Sequence, residues 1–236
     1  MMAPGPRGKP PLIDAEVLRE FFEKAEMYLT PEFQAKLSQD LDARCRIVAQ
    51  RFPEFPELWD LAPATRRLSR DDRERLGPSL ADLRQSISEG HIQGVLDHLA
   101  AWPSPPPWLL DWATFWMSLV NPEMLWWARW VYGPVSETGA LVLLVDNPVS
   151  LKQDGVRETY RALSDATEYL RVLLASTRSL SGISEVFQPQ VTLAVVYTVY
   201  MFTMASWKLT EEFTQVLPPF PVVVRTLLGV NRWEGK

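Results

Sequence analysis

One long uncharged run, residues 186–207 (VFQPQVTLAVVYTVYMFTMASW), constrains the fold of this chain more than any other feature. A membrane-spanning helix needs roughly 20 predominantly apolar residues, and the run has about that length. However, residues 188–190 (Gln-Pro-Gln) interrupt its start, and Tyr197 and Tyr200 lie near its middle, whereas membrane aromatics prefer the interfaces. A core helix, a membrane-spanning helix and a buried strand all stay open. We expect residues 191–206 to be buried in protein.

The overall composition is that of a globular protein long enough to bury a core. With a net charge of −5, the chain lacks the basic face that a general nucleic-acid binder needs to neutralise phosphates. Cys45 is the only cysteine, so no intrachain disulfide can form, which fits a reducing compartment. We therefore predict a cytoplasmic protein, with membrane association through residues 191–207 as the alternative.

Helical periodicity and capping patterns cover much of the chain. Apolar residues three and four apart predict an amphipathic helix over residues 13–29, with Asp14 as its N-cap. Residues 30–32 (Thr-Pro-Glu) have the order of a helix start, namely a cap, a proline and an acid. This second helix runs to Phe52. The same periodicity predicts a long helix over residues 155–179.

The predicted fold class is mainly α, a multi-helix, bundle-like domain with more than half of its residues in helices. Two further runs are short and apolar, residues 140–145 (ALVLLV) and residues 221–230. Turn residues lie next to each of them. Such runs fit buried strands as well as buried helices. A small buried β element in the C-terminal half is therefore the open alternative.

The proline-rich segment at residues 102–107 (WPSPPP) marks the predicted boundary between two helical regions. We predict an extended N-terminal arm over residues 1–12 and a helical region over residues 13–101. A Trp-rich helical region follows over residues 108–236. The two helical regions pack as one or two domains.

The second region begins with a block of tryptophans and other apolar residues at positions 108–132. Helical spacing and an Asn-Pro-Glu start at residues 121–123 predict two short helices here. On the second of these helices, Trp126, Trp127 and Trp130 would point in different directions, so they cannot all face one core. We predict that the block packs partly inside the protein and partly against a partner. The predicted partner-binding residues are Trp108, Trp112, Trp116, Trp126, Trp127 and Trp130.

No catalytic or cofactor signature is present among the common phosphate-loop, dinucleotide, metalloprotease and nucleophile-elbow motifs. His91 and His98 are too far apart in sequence for the usual helical ligand spacing. Cys45 lies on an apolar helix face, which is typical of a structural thiol. Asp146, at the end of an apolar run, is the best single catalytic-looking carboxylate. The sequence therefore predicts no metal, no cofactor and no assigned catalytic residue.

Three classes of function fit these observations. We predict a non-catalytic helical interaction or scaffold subunit of a larger assembly, which uses an aromatic surface to bind another protein or a second copy of itself. The first alternative is a membrane-associated protein held by residues 191–207. The second is an enzyme or carrier with an apolar ligand pocket.

Overall fold

The computed structural model describes residues 11–102, 104–208 and 217–233. Of the described residues, 68% are helical, which confirms the predicted mainly α fold. Apart from its last two residues, the arm predicted over residues 1–12 lies outside the described residues. The α-helices are α1 (Ala15–Ala25), α2 (Pro31–Gln50), α3 (Phe55–Leu61), α4 (Arg70–Leu76), α5 (Ala81–Ser88), α6 (Ile92–Ala100), α7 (Pro107–Val120), α8 (Ala140–Leu144), α9 (Val156–Leu174), α10 (Gln188–Lys208) and α11 (Phe220–Leu227).

Local sequence signals set the starts of the first two helices. The Asp14 carboxylate accepts hydrogen bonds from the backbone N–H groups of Glu16 at 2.9 Å and Val17 at 3.1 Å. Thr30 Oγ1 accepts a hydrogen bond from the Phe33 N–H group at 3.3 Å. These bonds satisfy N–H groups that have no partner inside the helix. The helix starts that the sequence predicts at α1 and α2 are therefore confirmed.

Helix α10 runs through the protein core and packs against α1, α8, α9 and α11. Two of its threonines bond within the helix, since Thr198 Oγ1 donates to the Ala194 carbonyl oxygen at 2.7 Å and Thr203 Oγ1 donates to the Val199 carbonyl oxygen at 2.9 Å. The core-helix interpretation is confirmed for the first turns, whereas residues 201–205 are only half-buried and Ser206 is exposed. The fully buried apolar residues of α10 are Val191, Leu193, Ala194, Val195, Val196 and Val199.

The structure also bears on the membrane alternative. Among the described residues, none of the helices combines the length and the hydrophobicity that a bilayer crossing requires.

The two apolar runs that allowed a β element are helices α8 and α11. The described part of the chain contains no strand, only isolated antiparallel bridges between Ile13 and Val145 and between Gly133 and Thr138. Pro221 lies in the first turn of α11, where its fixed φ angle favours a helix. A strand also needs a hydrogen-bonded neighbour, and no described segment supplies one.

One hydrophobic core extends across both sides of the proline-rich segment. Helix α7 packs against α2, α5 and α6, while α9 packs against α6. The buried residues of these helices belong to a single contiguous cluster. Within the described ranges, the regions before and after the segment therefore share one core.

Candidate functional site

The tryptophan block builds the centre of this core. On α7, Trp112 and Trp116 are buried, and both indole N–H groups donate to the Leu58 carbonyl oxygen, at 3.1 and 3.2 Å. The Trp112 ring stacks against Trp59, and the Trp116 ring meets Phe52 edge-on. The tryptophan rings of α7 are therefore covered by α3 and by the connection between α2 and α3.

The second helix predicted in this block is absent. Residues 121–139 form turns that wrap around α7, and four consecutive residues, 125–128, are all buried. A helix would point four consecutive side chains to all sides, so it could not bury them together. The turns are held by Thr114 Oγ1, which accepts a hydrogen bond from the Trp127 backbone N–H group at 2.9 Å.

Four of the six tryptophans predicted to bind a partner are buried in the core. Trp112, Trp116, Trp126 and Trp127 lie in the core, where no partner reaches them unless the fold opens. Trp108 and Trp130 are half-buried. The six residues therefore do not form one exposed aromatic face, because internal packing uses most of their area.

A cavity of about 280 Å³ lies beside the first turns of α7. Its wall is mainly apolar and includes one of the six tryptophans predicted to bind a partner, Trp127. The residues that line it are Pro107, Leu110, Trp127, Arg129, Tyr132, Gly133, Pro134, Val135 and Ser136.

The outer wall of this cavity belongs to a tight loop over residues 133–139. The Gly133 N–H group donates to the Thr138 carbonyl oxygen at 2.7 Å, which closes the loop. Glu137 has a φ angle of 49°, in the left-handed region that non-glycine residues seldom adopt. Such backbone strain is found most often at functional loops, so the loop over residues 133–139 is a candidate functional segment.

Tyr132 is the least satisfied polar residue of the cavity wall. Its hydroxyl is buried, and no hydrogen-bond partner lies within reach among the described residues. Burial, and the nearby charge of Glu137, raise the pKa of the phenol, while Lys152 lowers it. Glu137 and Lys152 form an ion pair with each other. The hydroxyl is thus a proton donor that the folded chain leaves unused.

The mouth of the cavity is both apolar and cationic. Val135 is 92% exposed, and Val149 on the neighbouring loop is 71% exposed. The Arg129 side chain is exposed and forms no ion pair with any described residue. This edge therefore offers apolar area together with an uncompensated positive charge.

Asp111 lies next to the cavity-lining Leu110 and is the one charged residue of α7. Its carboxylate accepts a hydrogen bond from the Trp126 indole N–H group at 2.7 Å. Burial raises the pKa of Asp111 to about 7, and hydrogen bonds from Trp126 and from the Arg129 backbone oppose this rise. The folded chain therefore holds this carboxyl protonated well above the pH at which an unfolded chain ionises it.

We expect Asp111→Asn to stabilise the protein at pH 8 but not at pH 4. Below pH 4 both states keep the proton, whereas between pH 4 and pH 7 only the unfolded chain loses it. Wild-type stability therefore falls as the pH rises through this window. The advantage of the neutral amide should grow by roughly 2–4 kcal/mol from pH 4 to pH 8, measured by urea unfolding.

The control for this experiment is Asp146→Asn, because Asp146 is exposed and stays in water in both states. A stability difference between Asp111→Asn and wild type that does not vary with pH would show that the Asp111 carboxyl is ionised in the fold.

The other residues singled out from the sequence do not converge. Asp146 follows a helix rather than a strand and is exposed. His91 precedes α6 and His98 lies within it. No three His, Cys, Asp or Glu residues of the described ranges lie close enough together to hold a metal ion. Burial raises the pKa of the Cys45 thiol to about 11, in keeping with a structural role.

A larger groove of about 680 Å³ lies between α3 and α4 and is floored by Phe55 and Trp59. Its charged residues are already paired with each other. Arg70 pairs with Glu74 at 2.8 Å, and Arg73 pairs with Asp60 at 2.7 Å. The smaller cavity beside Tyr132 is the stronger candidate, because it alone of the two combines an unpartnered hydroxyl with an unpaired cation.

Sequence reasoning missed Asp111, Arg129 and Tyr132. One signal was available, since a single acid in an otherwise uncharged, apolar helix is unusual. Nothing in the sequence marked Tyr132 or Arg129. Comparison with known proteins adds no residue to the site, because the chain matches no family model, no curated protein and no solved structure.

Proposed function

We propose that this protein is a non-catalytic interaction subunit whose cavity beside Tyr132 receives an apolar side chain of a protein partner. The observation that carries the proposal is the apolar cavity bordered by the almost fully exposed Val135. Large exposed apolar residues beside a concave site are typical of interfaces. Trp127 takes part as a cavity wall rather than as an exposed aromatic.

The dimensions favour a protein partner over a free small molecule. Pockets for drug-sized ligands usually measure roughly 300–1,000 Å³, and this cavity, at about 280 Å³, suits one side chain. A small molecule inside it would also leave Val135 and Val149 uncovered. The Glu137–Lys152 ion pair joins the two loops that carry these valines, so both belong to one surface.

The polar groups define the chemistry of the partner. Arg129 is an unpaired cation, and the Tyr132 hydroxyl is an unused donor. The exposed cation favours a carboxylate, because an arginine binds this group through two parallel hydrogen bonds. We therefore propose that the partner presents an apolar residue next to a carboxylate, from an acidic side chain or from a chain terminus.

The test begins with selection of random peptides on the wild-type protein. We expect the enriched peptides to carry an apolar residue adjacent to an acid or to a free C-terminus. Val135→Asp and Arg129→Glu should each weaken the binding of the best peptide at least about tenfold. Val135→Asp removes apolar contact and adds a negative charge, and Arg129→Glu reverses the charge that binds the carboxylate. Val172→Asp is the matched control, since Val172 is exposed on α9 and does not line the cavity.

Two results would contradict the proposal. The first is a selected peptide whose affinity neither variant changes. The second is a small aromatic acid, 3-phenylpropanoate, that binds the cavity as tightly as the best peptide, which would favour a carrier of small ligands. Comparing peptides with a free and an amidated C-terminus distinguishes a terminal carboxylate from an acidic side chain.

A further inference from the structure

We propose that a second, internal cavity between α2, α7 and α10 binds one small anion of halide size, held by Arg44 and Gln190. The cavity measures about 40 Å³, and its wall also includes Cys45, Trp126 and Leu228. It shares no lining residue with the cavity beside Tyr132. The two sites are therefore independent.

Two residues that line this cavity each carry an N–H donor without a protein acceptor. Arg44 Nη1 donates to the Leu228 carbonyl oxygen at 2.7 Å, but the covered Arg44 Nε finds no acceptor among the described residues. The side-chain nitrogen of Gln190 is also covered and has no described acceptor. Buried donors are nearly always satisfied in native proteins, so two unsatisfied donors on residues that line one cavity point to an acceptor there.

The buried charge of Arg44 favours a negatively charged acceptor. Only 5% of the residue is exposed, and no carboxylate of a described residue lies within ion-pair distance of it. Asp40, one turn earlier on α2, is already bonded to Lys36 and Arg225, both at 2.7 Å. Burying a charge without a counter-charge is costly, so an anion beside Arg44 would stabilise the fold.

The ionisation of the cavity residues supports the same conclusion. Burial lowers the pKa of Arg44 to about 10, which leaves the guanidinium charged at neutral pH. Burial raises the pKa of Cys45 to about 11, so the neighbouring thiol stays neutral and supplies no counter-charge.

The volume sets the class of anion. A cavity needs roughly 10–15 Å³ to hold one water molecule, so the volume of about 40 Å³ accommodates chloride or bromide. Gluconate, a six-carbon anion, is too large to enter. A water molecule fits the same volume, but it leaves Arg44 with only the charge of Asp40, which Lys36 and Arg225 share. Dependence on the anion therefore separates these occupants.

The first experiment measures thermal unfolding in salts of equal ionic strength. An anion that binds only the folded chain raises the Tm. We expect the Tm in about 200 mM sodium chloride to exceed that in about 200 mM sodium gluconate by at least about 2 °C. Bromide should act like chloride. An equal Tm in chloride and in gluconate would overturn the proposal.

Variants test whether Arg44 and Gln190 carry this effect. Arg44→Met should abolish the rise in Tm that chloride causes. Gln190→Met keeps the charge of Arg44 but removes one donor, so it should at least halve this rise. Arg46→Met is the matched control, because Arg46 lies on the same helix but is exposed and pairs with Asp42 at 3.0 Å. If Arg44→Met does not fold, Gln190→Met decides: an undiminished chloride effect in that variant would count against the site.

Direct observation completes the test. Crystals grown in sodium bromide should show an anomalous peak within hydrogen-bond distance of Arg44 Nε and the Gln190 side-chain nitrogen. In solution, iodoacetamide should react with Cys45, the single thiol of the chain, more slowly in chloride than in gluconate. Bromide crystals without a peak beside Arg44 would contradict the proposal.

Discussion

Val195→Asp is expected to abolish folding. Val195 is completely buried in α10, at the centre of the contacts that this helix makes with α1, α8, α9 and α11. An aspartate there would be a charge without a partner in an apolar environment, or a carboxyl forced to stay protonated. We expect a loss of more than about 5 kcal/mol, which is comparable to the whole free energy of unfolding of many domains. The variant should be insoluble, or should lack a cooperative unfolding transition.

The matched control is Val172→Asp. Val172 is 61% exposed on α9, so the same substitution there should change the free energy of unfolding by less than about 1 kcal/mol. Soluble Val195→Asp protein with wild-type urea unfolding would show that this face of α10 is not part of the core.

Gly139→Ala is expected to have the second largest effect. Gly139 has a φ angle of 134°, which residues with a side chain rarely adopt. It ends the loop over residues 133–139 where the chain packs back against Trp130 and Val131. A Cβ atom here would lie 2.5 Å from the Val131 carbonyl oxygen and 2.9 Å from the Tyr132 Cα atom. Both are backbone atoms that cannot rotate away. We expect a loss of about 3–5 kcal/mol, measured by thermal and urea unfolding.

Gly90→Ala distinguishes the collision from the cost of the backbone angle alone. Gly90 also has a positive φ angle, of 69°, but its added Cβ would meet only a Val120 methyl carbon, at 3.6 Å. We expect this variant to lose only about 1 kcal/mol. Equal losses for the two variants would mean that the close backbone approach at Gly139 relaxes without cost.

Several features of the fold were determined by the sequence itself. The starts of α1 and α2 follow from Asp14 and Thr30, because a capping hydrogen bond joins groups only two or three residues apart. The regular apolar spacing of α9 likewise defines a helix without reference to its neighbours. The core position of α10 was favoured by Tyr197 and Tyr200, which lie away from the ends of the run.

Tertiary structure decided between helix and strand in the short apolar runs. The sequence at α8 is equally compatible with both, since five consecutive apolar residues show no period. The choice depends on whether a neighbouring strand supplies hydrogen bonds, and that neighbour would come from elsewhere in the chain. The conformation of residues 125–128 also depends on partners elsewhere in the chain, since Thr114 and Asp111 on α7 set their turns.

The candidate sites were also decided by tertiary structure. Trp112 and Trp116 are core residues because the Leu58 carbonyl oxygen, more than fifty positions earlier, accepts both indole N–H groups. Arg44 bonds Leu228 and lines one cavity with Gln190 only after α2, α10 and the segment around Leu228 have packed together. Local patterns define which segments are helices, whereas a cavity and its unpaired groups arise from residues that are distant in sequence and that only packing brings together.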